Sequence, residues 1–159
     1  MRNAVAIVLT LLAISAAARA DSPRSPRLAA LAKRVAAHEP GAEDAFWRQL
    51  ATEGAPMIET TDEPGQLLVT FLWRGSVATG RVQLIGPVVP RQPESELARV
   101  PGTNTFATTL RLPESARFSY SFILDGDGSA DFRPEQLHHD PFNRHQYLPT
   151  QSILELPRA

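Results

Sequence analysis

From residue 56 onward, apolar and polar residues alternate with a period of two, the spacing of half-buried strands. Residues 57–60 read as a short strand, and Asp62-Glu63-Pro64-Gly65 as the turn after it. Residues 66–74 form the next strand, with Val69, Phe71 and Trp73 on one face and Thr70 and Arg74 on the other. Further strands are expected over 81–85 (Val82 and Leu84 inward), 105–112 (Phe106, Thr108, Leu110 and Leu112 on one side) and 151–156. The alternation is clearest over 117–125, with Phe118, Tyr120, Phe122 and Leu124 inward and Arg117, Ser119 and Ser121 outward. Short alternating strands separated by turns predict an antiparallel β-sandwich, and no strand–helix–strand alternation suggests a parallel sheet.

The pattern before residue 56 is different. Ser25-Pro26 reads as an N-cap followed by proline at the first helical position. Leu28, Leu31, Ala32 and Val35 then recur at helical spacing until Pro40-Gly41. A second short helix is expected over 43–51, with Phe46 and Leu50 four apart and Gly54 ending it. The fold class is therefore mainly β, with one or two short N-terminal helices.

The first residues read as a leader. Met1-Arg2-Asn3 is positive, residues 4–18 are almost wholly apolar, and Ala18-Arg19-Ala20 matches an A-x-A cleavage site. About 15 apolar residues are too few for the roughly 20 that span a bilayer, so a cleaved signal peptide is expected over a membrane anchor. The organisation becomes a signal peptide (1–20), a helical lead-in (21–54) and a β-sandwich (55–159). Export places the mature chain in the periplasm, though a leader does not by itself choose between periplasm and medium.

Loss of Arg2 and Arg19 leaves 14 basic against 17 acidic residues, a mature charge of −3. That gives no electrostatic basis for nucleic-acid binding. Absence of cysteine excludes disulfides, thiolate metal sites and a lipid-modified N-terminal cysteine. No membrane span is expected after cleavage.

The search for chemistry finds few groups. Ser76 and Ser129 lack the glycine spacing of a nucleophile elbow and read as turn residues, so no catalytic residue is assigned. Asp125, Asp127, Ser129 and Asp131 fall at calcium-loop spacing. However, the expected glycine is Ala130 and the expected glutamate Gln136, which favours an Asp-Gly-rich turn. His138, His139, Asp140 and His145 form a metal-like cluster without helical geometry, and no metal site is assigned. Trp73 following Phe71 inward reads as a core aromatic. Arg74 then points outward, either solvated or free to clamp an anion.

Five stretches in order carry a resemblance: "FWRQLATEGAPMIE", "VTFLWRG", "LARVPGTNTFATTLRLP", "RFSYSFILDGDG", and "DPFNRHQY" with "SILELP". Together they resemble the N-terminal domain of the enterochelin (enterobactin) esterase family. The resemblance implies an immunoglobulin-like early-set β-sandwich. In full-length members this domain precedes an α/β-hydrolase that cleaves the ester backbone of ferric catecholate siderophores. It further implies an accessory or substrate-recognition role in siderophore iron acquisition. A separately encoded hydrolase domain and a ferric catecholate would be the partners, and no cofactor beyond that ligand. Asn104 and Phe106 stand where the family pattern leads one to expect aspartate and tryptophan.

A catecholate ligand is anionic and aromatic, which arginine and aromatic surface suit. Arg74, Arg99 and Asn104 are the candidate ligand- or partner-binding residues. The alternative is a free-standing early-set module binding a glycan or protein, similar to branching-enzyme and isoamylase N-terminal domains. Such modules stack exposed aromatics on sugars, whereas Trp47 and Trp73 both read as inward-facing.

Overall fold

A computed structural model of the chain describes residues 24–87, 89, 95–125 and 133–159. Among the described residues two helices come first, α1 (Pro26–Ala36) and α2 (Ala42–Glu53). Ser25 caps α1, its hydroxyl accepting from Leu28 N at 3.1 Å, with Pro26 in the first turn. Gly54 at φ 97° ends α2, as its glycine signal predicts. Nine strands follow among the described residues: β1 (Met57–Thr60), β2 (Gln66–Arg74), β3 (Val82–Ile85), β4 (Ala98–Arg99), β5 (Thr105–Pro113), β6 (Arg117–Leu124), β7 (Leu137–His138), β8 (Gln146–Leu148) and β9 (Gln151–Glu155).

They make two antiparallel sheets, ordered β1-β2-β5-β4 and β3-β6-β9-β8, with β7 added beside β6. Leu67, Val69 and Phe71 of β2 and Leu110 and Leu112 of β5 meet Phe118, Tyr120 and Phe122 of β6 in one buried cluster. These are the inward positions of the period-two pattern, so alternation alone builds this core. The Phe71 ring stands edge-on to Tyr120, with centroids 4.9 Å apart.

The outer face of the first sheet is not solvated. Leu31, Phe46, Trp47 and Leu50 of the helices close over Met57, Leu72 and Ala107 in a second cluster. Thr70 and Thr109 are buried beneath them, each satisfying the other's hydroxyl at 3.0 Å. A polar residue alternating with apolar neighbours predicts exposure at Thr70. Here a helix layer takes the place of water and the threonine pair removes the cost.

Ser25 also donates to the Glu59 carboxylate of β1, and Arg27 N donates to Glu59 Oε1 at 3.1 Å. That joins the N-terminus of α1 to the sheet edge. No helix among the described residues is long and apolar enough to cross a membrane.

Candidate functional site

The register places the chemistry at one end of the first sheet. Trp73 pairs with Phe106, and Phe106 with Arg99, so indole, phenyl and guanidinium share one row on the inner face. Trp73 is half-buried, packed edge-on against Phe122 at 5.4 Å, with the His138 ring 6.1 Å away on β7. Arg99 sits over Phe106, Cζ 4.4 Å from the ring centroid. Its nitrogens donate to Asn104 Oδ1 at 3.0 Å, to Thr103 O at 3.4 Å and Ser76 O at 3.5 Å, and to Thr79 O. One guanidinium thus ties the 75–80 loop to the 100–104 turn.

Arg74 lies on the opposite face of the sheet. Its guanidinium donates to the Asp44 carboxylate of α2 and sits 5.9 Å from the centre of the Trp47 ring. Glu43 accepts from Asn104 N at 2.9 Å and from Thr105 Oγ1 at 2.8 Å, while Trp47 Nε1 donates to that same hydroxyl at 2.8 Å. The fold therefore brings Arg99 and Asn104 together and turns Arg74 to the face of the sheet opposite Arg99. Glu43 and Asp44 place one carboxylate on Asn104 N and another on the Arg74 guanidinium. Both acids stand in the first turn of α2, and the helix pattern gives no sign of partners 30 and 61 residues away.

Gly75 follows from the same packing. A Cβ there would fall 2.8 Å from Phe106 Cε2 and 3.0 Å from Thr79. Gly75→Ala is expected to destabilise the chain by about 1–3 kcal/mol, read as a lower urea midpoint at unchanged slope.

The remaining sequence candidates disperse. His138 packs on Trp73, His139 Nδ1 lies 3.0 Å from Pro149 O, and Asp140 is buried against Tyr120. Among the described residues no group of three or more metal-ligating side chains converges. Asp125 Oδ1 accepts from Gly80 N at 2.7 Å and Arg81 N at 3.0 Å, closing the turn before β3. The rest of the calcium-like loop, with Ser129, lies outside the described residues. Ser76 Oγ serves its own turn, accepting from Ala78 N at 3.2 Å.

Residues 68–159 match the family model described as enterochelin esterase, N-terminal. The chain belongs to this family. The iron(III) enterobactin esterase of Dickeya dadantii is 33% identical over 91 residues, covering 51% of this chain and 20% of that protein. The enterobactin esterase of Shigella flexneri, solved in the presence of 2,3-dihydroxy-N-benzoyl-glycine, is 27% identical at a TM-score of 0.56. That match covers 71% of this chain and 35% of the esterase. Ferric enterobactin esterase from Salmonella typhimurium is 25% identical at a TM-score of 0.57, covering 73% of this chain and 37% of its own. This enterochelin esterase family member thus spans about a third of the solved relatives and 20% of the curated one. The match begins inside β2, so α1, α2 and β1 lie outside the family model.

Proposed function

We propose that this chain is an accessory recognition domain for a ferric catecholate siderophore, acting beside an α/β-hydrolase esterase domain and not hydrolysing esters itself. In this reading its two sheets form an immunoglobulin-like early-set sandwich. The leader sends it to the periplasm, and the ferric siderophore is its ligand rather than a resident cofactor. Family membership of residues 68–159 is the observation that carries the proposal.

The row of Trp73, Phe106 and Arg99 supports it chemically, because an anionic ring system needs aromatic faces and a fixed cation. Arg99 is already seated on a ring and held by carbonyl oxygens, so little rotamer entropy remains to be lost on binding.

The test is titration of the mature chain with ferric enterobactin, followed by tryptophan fluorescence, with maltooligosaccharide as the control. Saturable quenching by the siderophore alone is expected, with no release of ester-cleavage products. Arg99→Ala is expected to weaken binding by roughly 10-fold or more, comparable to loss of a charge-assisted contact. Quenching with the sugar only, or hydrolysis by the isolated chain, would overturn the proposal.

A further inference from the structure

The 140–144 segment runs between the helix layer and the second sheet and is bonded to both. Asp140 has no exposed surface. Tyr120 Oη donates to its Oδ2 at 2.9 Å, Phe142 N donates to its Oδ1 at 2.9 Å, and Asp140 N donates to Ser152 Oγ at 2.9 Å. Asn143 Nδ2 spans Tyr120 Oη at 2.9 Å and Ile153 O at 2.8 Å. On the helix side, Ala55 N donates to Phe142 O at 3.0 Å, the Phe142 ring lies 5.0 Å from Trp47, and Arg144 donates to Thr52 O.

Among the described residues no cation is bonded to this carboxyl. β6 presents Tyr120 to it and β9 presents Ser152. On its own segment His139 turns to Pro149 O, Arg144 is committed to Thr52, and His145 N bonds Asn143 Oδ1 at 2.7 Å. At the end of α2, Glu53 pairs with Arg27 at 2.7 Å.

We propose that Asp140 is a proton-operated latch: neutral, it holds the 140–144 segment closed over Trp47 and the start of β1, and ionised, it favours opening of that segment. An enclosed carboxylate without a counter-ion loses its hydration, and opening restores it. Burial is the main cause that raises the Asp140 carboxyl from 3.8 to about 6. The Phe142 amide, the Tyr120 hydroxyl and the charge of His139 offset it only in part. Burial holds Tyr120 well above its ordinary value, so it stays a donor.

The closed state therefore binds its proton more tightly than an opened, hydrated one. Opening grows as pH rises from the ordinary carboxyl range to about 6 and levels off above it. A salt-bridged carboxylate would give the opposite slope.

Amide hydrogen exchange of the mature protein reads the opening directly, once the intrinsic pH dependence of exchange is divided out. The opening constant at Ala55, Phe142 and Asn143 is expected to rise by about 20-fold between roughly pH 4.5 and pH 7, while β2 and β5 amides stay protected. Asp140→Asn is expected to abolish that rise. The latch is overturned by a flat profile, by a rise that persists in Asp140→Asn, or by one shared with β2 and β5. Should Asp140→Asn not fold, the carbon-13 titration of the wild-type Asp140 carboxyl decides. A midpoint near 6 supports the latch, and one in the ordinary carboxyl range overturns it.

Discussion

Phe71→Ala is expected to remove about 3–5 kcal/mol of stability, a large part of the 5–15 kcal/mol that holds a domain of this size. Phe71 has no exposed surface and lies where β2 meets β6, edge-on to Tyr120 at 4.9 Å and tilted against Phe118 at 6.5 Å. Truncation loses the transfer energy of the ring and leaves a cavity that two paired sheets collapse into only partly. With no disulfide available, burial carries the stability alone. Chemical denaturation should show the midpoint falling at unchanged slope. Val77→Ala, 92% exposed at the tip of the 75–80 loop, is the control and should stay within about 0.5 kcal/mol of wild type. Equal losses at the two sites would mean that the sheets do not share the core described.

The strands that carry this core were legible because they are long enough to show their period. β2, β5 and β6 have eight or nine residues each, and alternation over that length singles out the inward face. β4 and β7 have two residues and β8 three, too few for a period to exist, so their positions follow from tertiary pairing. The face covered by the helices was not legible, since alternation gives two faces without saying which is wet. Thr70, on the outer face of its strand, is buried because its hydroxyl meets that of Thr109, 39 residues away.

Asp140 shows a related limit. Asp-Pro-Phe-Asn has turn composition, and Phe142 N donates to the Asp140 side chain. Its complete burial runs against the usual fate of aspartate and follows from Tyr120 and Ser152, brought in by two separate strands. At the candidate site, residue type singled out Arg74, Arg99 and Asn104. Register, which type does not reveal, put Arg74 on the far face and laid Arg99 over Phe106.

Trp47→Ala is expected to cost about 3–5 kcal/mol as well, through a different layer. Trp47 is 1% exposed and is the point where the helices, the first sheet and the 140–144 segment meet. Its ring touches Phe46 at 5.9 Å and Phe142 at 5.0 Å, lies under Arg74, and donates through Nε1 to Thr105. Alanine removes all of these and opens the cover over the Thr70–Thr109 pair, whose hydroxyls lie buried beneath the helices. The damage should be uneven. α1 and α2 should lose exchange protection first, while β5 and β6, anchored by the core between the sheets, should keep most of theirs. Trp47→Phe separates packing from hydrogen bonding, because it keeps a ring but lacks the donor. Thr105 still bonds Glu43, so the phenylalanine variant should lose only about 1–2 kcal/mol. If Trp47→Ala instead unfolds both layers together at every amide, the helices are an inseparable part of the sandwich, and the second cluster has no independent cooperativity.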